Sequence, residues 1–116
     1  MELWTFRDYR TDDSPPKNLI QEWYGRQDIS VQVEFDATVK ILAKTEEWRK
    51  AREFKVLNRQ HAGLGELRFR VRDRKQRKEV IRRFRPVGIW NEHLRDFTFL
   101  IGCEKSRSIW PKVPIW

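Results

Sequence analysis

Cysteine, histidine and glycine are scarce in this chain, and each shortage removes a class of chemistry. A single cysteine, Cys103, permits no internal disulfide, and with only His61 and His93 beside it no structural zinc site can be assembled. The five glycines form no glycine-rich phosphate loop, and HExxH and GxSxG are missing as well. No apolar run approaches the roughly 18–20 residues of a membrane span. The first residues show no basic-then-apolar leader. The expected location is cytoplasmic, with no membrane partner and no cofactor.

Acidic residues are short in one place above all. Between Arg68 and Arg85 stand ten basic residues against Asp73 and Glu79, which leaves 15 basic and 15 acidic residues elsewhere. The whole formal charge of +8 therefore sits in this stretch. Its basic residues alternate with apolar ones, Arg68, Arg70 and Arg72 against Leu67, Phe69 and Val71. A strand sends successive side chains to opposite faces, so the pattern predicts one apolar face and one guanidinium face. Such a face suits a polyanion, and nucleic acid leads the choice of partner.

At 116 residues the chain has the length of one domain. Six Trp and seven Phe supply large buried areas, which argues for a folded chain despite 36% charged residues. Glu2 to Arg10 reads as a first strand. Ser14 followed by Pro15 reads as a helix start, with Leu19, Ile20, Trp23 and Tyr24 on one face and Gly25 as the stop. Ser30 is the expected cap of a second helix running to about Lys44, with Phe35, Val39 and Leu42 inward. Trp48 is expected to dock on the core, and Phe54 to Gly65 to form a connection. Three strands are expected next: Glu66 to Arg72, Lys78 to Arg85, and Phe97 to Cys103. A longer loop over Asp73–Arg77 and a second over Val87–Asp96 separate them. The uniformly apolar FTFLIGC predicts a central strand, with Cys103 as a small core residue. The fold class is α+β: an N-terminal strand, two helices, then a three-strand antiparallel meander with the helices on one face. Residues 1–106 form the domain, and residues 107–116 form a tail containing Pro and Trp.

Asp73 and Glu79 are isolated among cations, which argues against two-metal phosphodiester chemistry. RNA offers another route, because its own 2′-hydroxyl can act as the nucleophile. Arg68, Arg70 and Arg82 are the candidates to hold the phosphate. His61 or His93 suits proton transfer near neutrality, with Lys or Tyr as substitutes. Arg72, Arg83 and Arg85 add to the binding face. Trp90, expected in a loop, is a candidate base-stacking platform. A solvated outer strand face remains the plain alternative.

The runs GLGELR at 63–68, VIRRF at 80–84 and FTFLIGCEKS at 97–106 resemble the RelE/HigB-like toxins of bacterial type II toxin–antitoxin modules, in particular their phage-derived branch. The resemblance implies a RelE-like fold and a small endoribonuclease, an mRNA interferase that cuts mRNA on the ribosome. It also implies neutralisation by an acidic or helix-turn-helix antitoxin. By position, Arg68 matches the basic residue of the ELR strand, with Arg70 on the same face. Arg82 matches the arginine that contacts the scissile phosphate in the family. Lys105 falls where the last strand ends in a basic pair, with Glu104 replacing its first member. Lys55 and His61 lie in the segment where some members place basic or histidine residues. The family's C-terminal helix has no counterpart in SIWPKVPIW, and neither Tyr9 nor Tyr24 lies near its place. A non-catalytic nucleic-acid-binding or phage regulatory protein using the same basic face is the alternative.

Overall fold

The computed structural model describes residues 2–57, 63–75 and 78–105. Its first strand, β1 (Thr5–Asp8), is followed by α1 (Leu19–Gly25) and α2 (Ile29–Ala43). A short 3₁₀ turn at Trp48–Lys50 leads to β2 (Phe54–Val56), β3 (Leu64–Leu67), β4 (Phe69–Lys75) and β5 (Lys78–Phe84). The chain continues through β6 (Val87–Asn91), β7 (Asp96–Ile101) and the two-residue β8 (Glu104–Lys105). The α+β class holds, with an N-terminal strand and two helices preceding a multi-stranded antiparallel region. The three-strand meander does not. Among the described residues the strands form a five-stranded sheet ordered β1-β7-β6-β3-β2 and a three-stranded sheet ordered β4-β5-β8.

Both helices begin where a side chain can satisfy the first free N–H groups. Asn18, not Ser14, caps α1 by accepting from Gln21 N–H at 3.0 Å. Thr11 and Lys17 bond each other instead, closing a loop around Pro15 and Pro16. Asp28, not Ser30, caps α2 by accepting from Val31 N–H, and the Ser30 hydroxyl donates to that same carboxylate at 2.9 Å. An ionised cap satisfies a helix start better than a hydroxyl does.

The stretch expected as one strand from Glu66 to Arg72 is broken at Arg68. Its N–H donates to Glu53 C=O at 2.7 Å, on the β2 side. Pro86, opposite Leu67, has no N–H to give, and its carbonyl accepts from Leu67 N–H at 2.9 Å. A long two-stranded ribbon therefore bends at one level, passing from the large sheet (β3 with β6) to the small one (β4 with β5). The loop expected over Asp73–Arg77 is much shorter. Pairing runs from Phe69↔Phe84 out to Lys75↔Lys78. Val87–Asp96 is likewise no loop: β6 occupies its first half, with the alternating exposure of a one-sided strand.

The core is aromatic. Trp4 stacks on Trp48 at 4.0 Å, and the indole N–H of Trp48 donates to Leu42 C=O at 2.9 Å. Phe35 joins the helices to both sheets through Trp23, Phe69 and Phe99. β7 lies inside its sheet as expected, with β6 antiparallel on one side and β1 parallel on the other. Its side chains nevertheless alternate between partly buried and buried from Asp96 to Leu100, and Ile101 is exposed. Gly88 marks a close approach at the β6–β7 register shift, where a Cβ would strike the Thr98 carbonyl and the Phe97 ring. No helix among the described residues is long and apolar enough to cross a membrane.

Candidate nucleic-acid interface

Strand pairing sorts the basic stretch into two faces. Arg70 on β4 is the direct partner of Arg83 on β5, and Arg83 is the direct partner of Lys105 on β8. Direct partners project to the same side, so these three cations form a row across the small sheet, about 10 Å from end to end. Arg72 extends the face by one step along β4, and both Arg70 and Arg72 are exposed. The opposite face carries Phe69, Phe84 and Glu104 in the neighbouring row. There the Phe69 and Phe84 rings stack at 5.1 Å against the core.

Beyond Lys105 the face continues over the bend of the ribbon. Glu66 on β3 accepts from Arg68 Nε and from Arg85 Nη1, each at 3.3 Å, through the same carboxylate oxygen. Glu66 is mostly buried, with its side chain 14% exposed, so both contacts are better shielded than surface pairs. Desolvation first, then the positive charges of Arg85, Arg83 and Arg68, push Lys105 below the ordinary lysine value, and Glu66 opposes the shift. An ammonium in this position gives up its proton more readily than a free lysine. Lys55 stands directly opposite Glu66 in the β2–β3 ladder and is exposed. Arg68, Arg70, Arg72, Arg83, Arg85 and Lys105 thus belong to one surface, with Lys55 at its border.

Arg82 does not belong to it. Its parity places it beside Val71, on the side of Phe84. Its Nε and Nη2 each donate to Glu104 at 2.9 Å, and Nη1 lies 3.5 Å from Asp28 and 3.7 Å from Asp73. The guanidinium also sits 5.1 Å from the Phe84 ring centre. Hydrogen bonding to Glu104 is the main cause that raises the pKa of Arg82 further. Asp28 is lowered, chiefly by Ser30 and the Val31 N–H, with Arg82 contributing. Arg82 is therefore a clasp joining the start of α2 to β4, β5 and β8, and its donors are turned away from Arg68 and Arg70. This corrects the expected trio.

Trp90 is a second correction. It lies in β6 at 8% exposure, packed 4.9 Å from Phe54 and stacked 6.3 Å from Trp4, so no base can reach its face. His93 is exposed in the Glu92–Arg95 turn, at the far end of β6 from Arg85. His61 and the tail at 107–116 lie outside the described residues. Cys103 is half-buried. Its thiol donates to Arg85 C=O at 2.9 Å, and burial pushes its pKa up.

Glu66 is the residue that strand alternation alone did not single out. Its signal was present, since Glu66 shares the parity of Arg68 in GELR, with Arg85 just before Pro86 on the other limb. Among the described residues no group of three His, Cys, Asp or Glu side chains is arranged to hold a metal ion. The carboxylates of Asp28, Asp73 and Glu104 converge on Arg82 instead. No family model, no curated protein and no solved structure matches this chain.

Proposed function

We propose that the Arg70–Arg83–Lys105 row, with Arg68 and Arg85 beside it, binds the phosphodiester backbone of RNA. On this reading the protein is a metal-independent endoribonuclease of the mRNA interferase kind, acting on mRNA at the ribosome and held in check by an antitoxin. The observation that carries the reading is the Arg70–Arg83–Lys105 row lying next to Arg68 and Arg85, which meet on one shielded carboxylate, Glu66.

Planar guanidinium groups hold two phosphate oxygens each and stabilise the extra negative charge of a pentavalent intermediate. The substrate's 2′-oxygen forms a bond to phosphorus and the bond from phosphorus to the 5′-oxygen breaks. A 2′,3′-cyclic phosphate and a 5′-hydroxyl remain. Glu66 takes the 2′-hydroxyl proton, and the Lys105 ammonium gives one to the departing 5′-oxygen. Arg68 and Arg85 hold Glu66 in place, and Arg68, the more exposed of the two, presents its remaining donors to the phosphate.

The test is cleavage of end-labelled RNA in EDTA, compared with the same RNA carrying a 2′-deoxy sugar at the cut site. Cyclic-phosphate ends on the first and no cleavage of the second are expected. Binding and cutting that persist unchanged in Arg70→Ala/Arg83→Ala would overturn the reading. One observation favours a second reading, an RNA-binding protein that does not cut. Arg82, at the position of the family's phosphate-contacting arginine, is occupied by Glu104, Asp28 and Asp73. On that reading RNA binds with the same salt dependence and stays intact.

A further inference from the structure

β4 is an edge strand. Among the described residues it pairs with β5 alone, so its other side has no strand partner. That side opens into a groove of about 830 Å³ whose opposite wall is α2. The wall is apolar: Val33, Ala37 and Ile41 recur every fourth residue, with Val33 57% and Ile41 49% exposed. Residues spaced by four align along one face of a helix, so they form a continuous ridge, which Ile29 extends at 75% exposure. The groove's charges are six arginines against Glu34 and Glu53.

We infer that this groove docks an extended segment of a partner protein whose residues alternate acidic and apolar, adding to β4 as a further strand. Each feature selects one property of that segment. The open edge calls for an extended backbone. Alternation follows from the edge strand's own parity, with Arg70 and Arg72 on one face and Phe69 and Val71, beside the α2 ridge, on the other. The arginines call for carboxylates. A second copy of this chain fits less well, because pairing β4 with β4 would add guanidinium groups to a face that already sets Arg70 against Arg83. The chain's own last residues, Ser106 to Trp116, carry Arg107 and Lys112 and no acid, so their charge is wrong. A nucleic acid strand matches the arginines but can use neither the backbone edge nor the ridge. The inference holds whether or not the neighbouring face cuts RNA.

The probe is an end-blocked heptapeptide, Glu-Val-Glu-Leu-Glu-Val-Glu, matched to the seven residues of β4. Its control has the same composition with the four acids together, and binding is followed by fluorescence anisotropy at about 0.15 M salt. The alternating peptide should bind about ten-fold more tightly than the control, since only it can lay its apolar side chains on α2. N-methylation of every second peptide nitrogen should abolish binding in one phase of the alternation and spare it in the other. Val33→Gln/Ile41→Gln, on the exposed face of α2, should remove the preference while leaving affinity for an oligouridylate unchanged. Equal affinity for the two peptides, no binding of either, or indifference to the phase of methylation overturns the inference. So does a loss of oligouridylate binding in Val33→Gln/Ile41→Gln, which would give the groove to RNA.

Discussion

Arg70 and Arg83 face each other as direct partners in the β4–β5 ladder, two guanidinium-bearing side chains on one face of a small sheet. Like charges directly opposite destabilise a strand pair, so the fold carries a cost at this position that an anion would relieve. Replacing Arg70 by Glu turns the repulsion into attraction. Stability should rise by about 0.2–1 kcal/mol, read as a higher urea midpoint with an unchanged slope. RNA affinity should fall in the same variant, and the dependence of log K on log salt should become shallower. A drop in both stability and affinity would show that Arg70 is a packing residue and not a binding one.

Arg82 predicts the reverse pattern. Removing it leaves Glu104, Asp28 and Asp73 as three carboxylates without their shared cation. Arg82→Gln should cost about 1–3 kcal/mol in urea unfolding, because hydrogen bonds to charged groups in a partly shielded site are among the stronger ones. RNA binding per folded molecule should be nearly unchanged, since its donors point away from the Arg70 row. An affinity loss as large as that of Arg70→Glu, with little change in stability, would return Arg82 to the binding face.

The contrast between these two arginines shows where sequence reading stops. Alternation along one strand correctly separated Phe69 and Val71 from Arg70 and Arg72, because that pattern is local. Phe35 and Leu42 were legible on α2, and Trp48 as a docking residue, for the same reason. Whether Arg82 or Arg83 joins Arg70 depends on the register between β4 and β5, which no single strand encodes. The bend at Arg68 is equally non-local, since it needs Glu53 to accept its N–H and Pro86 to interrupt the other limb. Trp90 was misplaced for a nearer reason. Its strand VGIWN is short, contains a glycine and runs straight into a charged turn, which masks a clear alternation.

Lys105 allows a test by pH. Its folded pKa lies below the ordinary value of 10.5, so the unfolded chain binds the proton more tightly. Below its folded pKa the lysine therefore weighs against folding, and that penalty is relieved as pH rises through the folded pKa toward 10.5. The stability difference between the protein and Lys105→Met should narrow in the protein's favour over this alkaline window and stay flat at neutral pH. If Lys105 also donates the proton to the leaving oxygen, the cleavage rate should fall on the alkaline side at a lower pH than a free lysine would give. Lys105→Met should lose that limb altogether. An unaltered alkaline limb in Lys105→Met would remove the lysine from the chemistry.

Glu66 separates binding from cutting. Its carboxylate draws on both Arg68 and Arg85 at 3.3 Å, while Glu79 lies 3.4 Å from Arg72 farther along the face. Glu66→Gln keeps the shape and one acceptor oxygen but removes the negative charge. If the face only binds RNA, losing an anion from beneath its cations should tighten binding about 2–5-fold, with nothing else to lose. If the face cuts RNA, binding should tighten in the same way while cleavage falls by about 10²–10⁴-fold, the usual contribution of a proton-transfer group. Anisotropy and single-turnover cleavage on one RNA give both numbers from one preparation. Weaker binding in Glu66→Gln would mean that the carboxylate's service in positioning Arg68 and Arg85 outweighs its charge, and an unchanged cleavage rate of bound RNA would leave it no share in the proton transfer.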